Sequence, residues 1–345
     1  MKSPLETPVL YIHHPASLHH DPRALSPGHP DSPVRLQAIE AAVAGAELPG
    51  LQTRTAPAAT EAELRLVHDE RHIAFIEELC AAGGGQIDAD TCVGQASYEA
   101  AVRAAGGACA LVRGLAAGDA SVGYCAVRPS GHHAERDRAM GFCLFNNVAI
   151  AAELAIQELE LTKVMVIDWD VHHGNGTAEI FRRRPDVLVT GIHQQGLFPG
   201  TGALTDTGSG AGRGYTVNLP VPAGSDEEVW ISLLEHVIIP IGLEYRPELV
   251  LISAGCDAHE ADPLGRCRLH TESFGQLACH VRDLGQALGA PVGAVLEGGY
   301  DPAALADSVL ATLRGLGGHE EAVSIAPDPM VTPRMASHLG HSWTL

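Results

Sequence analysis

A chain of 345 residues that is 46% hydrophobic and 19% charged can bury a sizeable core, which excludes a disordered polymer and leaves one large α/β domain or two ordinary ones. Its 22 Lys and Arg against 42 Asp and Glu give a net charge of -20, which opposes binding to nucleic acid or to anionic membranes. A solvated acidic surface explains that charge more simply than a cationic partner does.

The opening Met1-Lys2-Ser3-Pro4-Leu5-Glu6 lacks the apolar core of a signal peptide, and no run of about 20 apolar residues follows, so the expected address is cytoplasmic with no membrane contact. Residues 7–13 predict a first strand. The loop after it carries His13, His14, His19, His20, Asp21, His29 and Asp31. It reads as a polar, proline-stiffened connection rather than a metal site, because no two of these histidines sit on a regular element. Pro33, after Asp31-Ser32, suits the first turn of a helix, where a missing N–H costs nothing. Helical patterns occupy 33–45, 60–66, 70–82 and 97–117, the last Ala-rich and interrupted by Gly106, Gly107 and Gly114. This first third supplies packing and loops, and no catalytic constellation.

From residue 122 short apolar strands alternate with amphipathic helices, the pattern of a mostly parallel sheet covered on both faces. Strands are expected at 122–127, 164–168, 187–192, 215–219, 248–253 and 292–296, and helices at 146–158, 177–183, 226–243, 271–287 and 303–316. With little linker sequence between them, residues 1–318 read as a single domain and 319–345, which show no period, as a surface tail. The eight cysteines form no Cys-x-x-Cys pair and mostly lie in apolar runs, as reduced core residues do.

Sites in such sheets form beyond the carboxyl ends of the strands. Four of those ends carry Gly131-His132-His133, Asp168-Trp169-Asp170-Val171-His172, Cys256-Asp257 and Glu297-Gly298-Gly299-Tyr300. Asp170 and His172, two apart in extended chain, leave on the same side and can grip one ion, with Asp257 the acid best placed to join them. Two carboxylates and an imidazole, one position left for water, suit Zn²⁺ or another borderline divalent cation. The alternative is a plain Asp–His hydrogen bond at a strand end. His132 and His133 follow Pro129 and Gly131, where the chain can turn and aim imidazoles able to move a proton near neutral pH. Asp168 is a natural orienter for one of them, and the Tyr300 phenol a donor to a developing oxyanion or, alternatively, a packed core ring.

These residues resemble the histone deacetylase superfamily, with its bacterial deacetylase-like amidohydrolases and acetoin-utilisation proteins. The matching stretches are Pro27 to Asp31, Arg128 to Ala134, Gly141 to Asn147, Asp168 to Gly176, Phe198 to Gly202, Ser253 to Asp257 and Glu297 to Tyr300, in family order. The resemblance implies the arginase/deacetylase fold, a central parallel sheet of about eight strands between helices. It implies that Asp170, His172 and Asp257 hold Zn²⁺, that His133 is the general base, that His132 with Asp168 stabilises charge, and that Tyr300 polarises an amide carbonyl. Phe142 and Phe198 would line an acyl-lysine tunnel, with Gly141, Leu264 and Asp90 also at the substrate. Asn175, where other members carry Asp, is similar to the class II-like branch. Gly191 stands where a serine is expected to ligate a structural K⁺, leaving backbone carbonyls of Asp168, Asp170, His172 and Ile192. Leu264 replaces the Glu of acetylpolyamine-specialised members.

The expected activity is therefore zinc-dependent hydrolysis of a linear amide, releasing acetyl or another short acyl group from an acyl-lysine peptide or a small acylated amine. A deacylase of small-molecule amides or polyamines and a non-catalytic, metal-retaining binder of acylated ligands are the alternatives. An arginase-like ureohydrolase would need an Asp where Gly174 stands. Acyl length, protein versus small-molecule substrate and oligomeric state are not legible in this sequence.

Overall fold

The computed structural model describes residues 7–345 apart from 47 and 49, so Met1 to Glu6 lie outside the described residues. The strands are β1 (Val9–His13), β2 (Leu51–Thr55), β3 (Gly84–Gln86), β4 (Cys92–Gly94), β5 (Val122–Ala126), β6 (Val164–Asp168), β7 (Val187–Gln194), β8 (Thr216–Val221), β9 (Leu249–Ala254) and β10 (Val292–Leu296). Among the described residues, eight of them form one sheet in the order β2-β1-β5-β10-β9-β6-β7-β8, every neighbouring pair parallel, while β3 and β4 make a separate antiparallel pair. The helices are α1 (Pro33–Gly45), α2 (Glu61–Leu64), α3 (Glu70–Ala81), α4 (Ser97–Ala116), α5 (Asn147–Gln157), α6 (Asn175–Phe181), α7 (Glu227–Leu233), α8 (Ile239–Tyr245), α9 (Thr271–Leu288), α10 (Pro302–Leu316) and α11 (Val331–Leu339).

Strand periodicity explains the layering. Val9, Tyr11, Met165 and Ile167 belong to a core on one face with Trp169, Trp230 and Phe274, while Leu10, Ile12, Val164 and Val166 belong to a core on the other with Phe145 and Ile150. Alternate side chains thus leave to opposite faces, and both faces are covered. On α4, a Cβ at Gly107 would stand 2.9 Å from Cys125 Sγ and one at Gly114 2.6 Å from Leu10 Cδ2, so these glycines let the helix lie close on the sheet. All eight cysteines are buried and unpaired.

Several segments differ from expectation, the short β3 and β4 pair among them. β2 was not foreseen: Leu51-Gln52-Thr53-Arg54-Thr55 is an edge strand with four exposed positions and no apolar run to announce it. The single helix expected over 226–243 divides into α7, a π-helical turn at Leu234–Ile238 and α8. Pro240 has no N–H and crowds the preceding turn, which the wider π turn accommodates. The expected surface tail is corrected: α11 lies within it, and Met335, Leu339 and Trp343 are buried in the main core. Trp343 Nε1 donates to the Gly214 carbonyl at 3.0 Å, and its ring meets Tyr215 at 5.7 Å.

The register sets the site. Asp168 pairs with Ser253, Val295 with both Ser253 and Cys125, and Leu296 with Ala254, so β5, β10, β9 and β6 end nearly level at the middle of the sheet. The loops that follow these strands therefore open into one crevice.

Candidate active site and metal centre

Asp170, His172 and Asp257 meet beyond β6 and β9, with one ligand atom of each within 4.8 Å of the others. His172 Nδ1 lies 3.1 Å from Asp170 Oδ1 and 2.9 Å from Asp257 Oδ2. The other carboxylate oxygens are fixed from behind, Asp170 Oδ2 accepting from Gly298 N at 2.8 Å and Asp257 Oδ1 from Val171 N at 2.7 Å. Such outer bonds orient ligands toward a common point. A Cβ at position 298 would fall 2.1 Å from Asp257 Oδ2, so only glycine admits the loop so near the carboxylates. Burial alone would discharge His172, yet Asp257 and Asp170 carry its pKa up to about 10. Two buried carboxylates beside one imidazole demand positive charge, which a divalent cation supplies better than a single proton does. The residues therefore fit a metal ion by the chemistry of their donor set.

The tandem histidines stand beside this group, their ring centroids 4.0 Å apart. His132 Nδ1 donates to Asp168 Oδ2 at 3.0 Å, and His133 Nδ1 donates to Asn175 Oδ1 at 2.8 Å. The two are driven apart electrically. Burial would lower His132, but the carboxylates of Asp170 and Asp168, with Glu297 beyond, hold it well above the usual imidazole range. Burial lowers His133 and the neighbouring imidazoles of His132 and His172 press it further down, while its neutral Asn partner offers little in return. One imidazole is thus held charged and the other neutral.

Above them a cavity of about 250 Å³ is lined by Asp90, His133, Gly141, Phe142, His172, Leu197, Phe198, Leu264 and Tyr300. The structure brings together here all five residues expected at a substrate, and adds Leu197. Phe198 packs edge-on against His133 with centroids 5.1 Å apart, and Phe142 against Tyr300 at 5.7 Å. Gly141, at φ +56°, would clash with His133 if it carried a side chain, its Cβ only 2.5 Å from Cδ2. Burial holds the Tyr300 phenol far above its ordinary pKa, so it stays protonated. Two of the larger cavities, of about 330 and 520 Å³, share Leu115, Gly289 and Pro291 at the amino-terminal ends of the strands, and hold none of these histidine–carboxylate clusters.

Several contacts escaped the sequence reading. From the first third, expected to supply only packing and loops, Arg35 lies over the Tyr300 ring with its guanidinium carbon 4.7 Å from the centroid. It donates to the carbonyls of Gly299 and Glu297 and to Asp31 Oδ1, which also accepts from Arg128 Nε at 2.7 Å. Asp262 Oδ2 accepts from Tyr300 N at 2.6 Å, and its other oxygen from Leu264 N at 2.9 Å. Glu297, its pKa pushed up to about 7 by burial, accepts from the N–H groups of Gly131 and His132 and so holds the histidine loop. An Asp four residues before Arg35 was the one local hint; the rest is long-range pairing.

Among the described residues no helix is long and apolar enough to cross a membrane. Residues 29–316 match the histone deacetylase domain. The chain is 38% identical over 299 residues to a histone deacetylase-like amidohydrolase of Pseudomonas aeruginosa, covering 86% of this chain and 79% of that protein. It is 40% identical over 299 residues to a probable deacetylase of Methanothermobacter thermautotrophicus, covering 85% and 87%. The crystal structure of the HDA15 HD domain superposes with a TM-score of 0.90 at 33% identity, over 97% of this chain and 95% of that one. With the eight-stranded parallel sheet between helices, these similarities establish the arginase/deacetylase fold and a deacetylase or amidohydrolase relationship. The chain belongs to the histone deacetylase domain family.

Proposed function

We propose that the protein is a Zn²⁺-dependent amide hydrolase that removes acetyl or another short acyl group from an amine, an acyl-lysine side chain in the first instance. The observation that carries this reading is that His133, Tyr300 and the metal-group residue His172 line one cavity together with Phe142 and Phe198. A mostly apolar cavity that also holds these polar groups suits an acylated aliphatic amine better than a charged one, since a free ammonium would lose its hydration there. The P. aeruginosa relative is named an amidohydrolase, which accords with the same chemistry.

Asp170, His172 and Asp257 would hold the ion, which when bound supplies a Lewis acid that polarises a carbonyl and acidifies water. Neutral His133 takes the proton of the attacking water as its oxygen bonds to the carbonyl carbon. Tyr300 donates to the oxygen that becomes negative, and the charged His132–Asp168 pair stabilises it electrostatically. His133, now protonated, gives its proton to the nitrogen as the C–N bond breaks, and the free amine leaves with a carboxylic acid that loses its remaining proton to the solvent. Asp90, which lines the cavity, would accept from a substrate backbone. A structural K⁺ would rest on carbonyls of Asp168, Asp170, His172 and Ile192; among the described residues those of Asp170 and His172 accept no backbone hydrogen bond, which leaves them free for a cation.

Purified protein is stripped of metal, reloaded with Zn²⁺, and assayed on acetyl-lysine peptides, acylpolyamines and small acylamides with product detection by mass spectrometry. Release of acetate that stops on chelation and returns with Zn²⁺ is expected. Tight ligand binding without product would replace the hydrolase by a binding protein, and full activity in His133→Ala would overturn the assignment of the base.

A further inference from the structure

We propose that Glu135 is a positioning residue for the reaction, acting through the Asn175 carboxamide to fix which ring nitrogen of His133 carries the proton.

Asn175 begins α6 and is buried, its Oδ1 accepting from His133 Nδ1. Its Nδ2 faces acceptors alone: Glu135 Oε1 at 2.8 Å, the His133 carbonyl at 3.4 Å and Met140 Sδ at 3.4 Å. Turned over, the amide would set its oxygen against a carboxylate, a carbonyl and a thioether, three partners with no proton to offer. The carboxylate thus forces the amide oxygen toward the imidazole. That oxygen has no proton, so Nδ1 must carry one, and the lone pair is left on Nε2. Without Glu135, only the longer 3.4 Å contacts to the His133 carbonyl and Met140 Sδ would oppose the turned-over amide, and with it the other tautomer.

Glu135 is held independently of the histidines it serves. Its N–H donates to the Arg138 carbonyl at 2.9 Å in a tight turn, and its own carbonyl accepts from His68 Nδ1 at 3.0 Å. Two relays of similar shape then differ only in where the negative charge sits. For His132 the carboxylate of Asp168 is the direct partner, and the pair is an ion pair. For His133 the carboxylate is one amide further away, near enough to orient and too far to bind the imidazole directly. The difference gives one imidazole a carboxylate partner and its neighbour a neutral amide.

The test combines an exchange of partners with spectroscopy; only its kinetic arm rests on the hydrolase reading above. Glu135→Gln keeps an acceptor for Nδ2 and should retain kcat within about threefold, whereas Glu135→Leu should lower kcat about 10–100-fold with KM within about twofold. Asn175→Asp alone sets two carboxylates face to face and should be poor. Adding Glu135→Gln to it supplies a donor to the new carboxylate and should recover at least about tenfold, which a merely structural role for Glu135 would not produce. Two-bond ¹H–¹⁵N spectra of the metal-free protein, with His133 assigned by its loss in His133→Gln, should show the Nδ1–H form in wild type and in Glu135→Gln, and a mixture in Glu135→Leu. An Nε2–H form in wild type, an unchanged tautomer in Glu135→Leu, or a double variant no better than Asn175→Asp would overturn the proposal. If no substrate is turned over by wild type, the hydrolase reading fails, and the tautomer spectra alone decide the role of Glu135.

Discussion

Arg35 lies over the Tyr300 ring while holding the carbonyls on either side of Gly298, so one buried guanidinium touches both the ring and the loop that carries it. The guanidinium is itself shared with Asp31, which also binds Arg128 in front of the tandem histidines. The planar fork can serve three directions at once, which an ammonium cannot.

Arg35→Lys should therefore be far from conservative. A displacement of the phenol by about 1 Å is enough to cost about 100-fold in rate, and a loss of that order in kcat with little change in KM is expected. Arg35→Ala should add a stability loss of about 3–5 kcal/mol, because the buried ion group loses a member. Steady-state kinetics and urea unfolding check the two effects separately; kcat near wild type in Arg35→Lys would show that Tyr300 needs no such support.

What the sequence made legible was local. The apolar runs that end in Asp168-Trp169-Asp170-Val171-His172 and Ser253 to Asp257 follow from strand period alone, and the Asp-x-His spacing puts two donors on one side. Arg35 and Gly299 stand 264 residues apart, so no periodicity could join them. Glu135 likewise reads as an exposed loop acid until Asn175, on another loop, is folded against it. The C-terminal helix did leave a signal, with Met335, Leu339 and Trp343 spaced four apart, but polar neighbours hid it.

That helix gives a stability test. Burying Met335, Leu339 and Trp343 contributes about 1.5–3 kcal/mol each, together comparable with the about 5–15 kcal/mol net stability of a typical domain. Removal of residues 319–345 should leave a chain that aggregates on expression. Trp343→Ala should cost about 3–5 kcal/mol, and Trp343→Phe about 1 kcal/mol for the lost bond to Gly214. A truncated chain with wild-type melting behaviour would return the segment to the status of a loose tail.

Acid sensitivity should come in part from His68. Its Nδ1 donates to the Glu135 carbonyl while Nε2 accepts from Asn146 N at 2.8 Å, so both nitrogens are committed and a second proton has no acceptor. Burial, aided by His72, pushes its pKa down to about 3. Between pH 6.5 and 3 the unfolded chain therefore binds a proton that the folded chain refuses, and stability is complete above pH 6.5 and falls as pH drops. From pH 6.5 to 5 the loss from this group should reach about 1.6 kcal/mol. Urea unfolding at both pH values should show a difference smaller by that amount in His68→Gln; an equal difference would remove His68 from the account.

Gly191 offers a gain rather than a loss. It lies in β7 opposite Asp168, and a Cβ there would meet Asp168 Cβ and its carbonyl at 3.5 Å, ordinary contact distance. Gly191→Ser should therefore fit and place a hydroxyl beside the carbonyls proposed for K⁺. Thermal stabilisation by K⁺ should then saturate at several-fold lower concentration than in wild type. A rise of about 0.5–1 kcal/mol that is equal in Na⁺ and K⁺ would reflect only the stiffer unfolded chain.

Metal removal should cost stability in a pH-dependent way. In the ion-free chain burial opposes the charge on His172, but Asp257 and Asp170 raise its pKa to about 10, so the two carboxylates share one imidazolium proton. A pKa raised on folding contributes stability that is complete below pH 6.5 and is lost as pH rises toward 10. Metal binding needs the nitrogen unprotonated, so loading at pH 8 should release close to one proton from this group, measurable by calorimetry in buffers of different ionisation enthalpy. At Zn²⁺ about 1,000-fold above its Kd the bound form should gain about 4 kcal/mol. Because the competing proton leaves as pH rises while the ion-free chain weakens, the gap in melting temperature between loaded and stripped protein should widen from pH 6.5 to 9. Asp257→Asn should shrink that gap at every pH, and a gap that is flat across this range would show that the triad does not hold the ion.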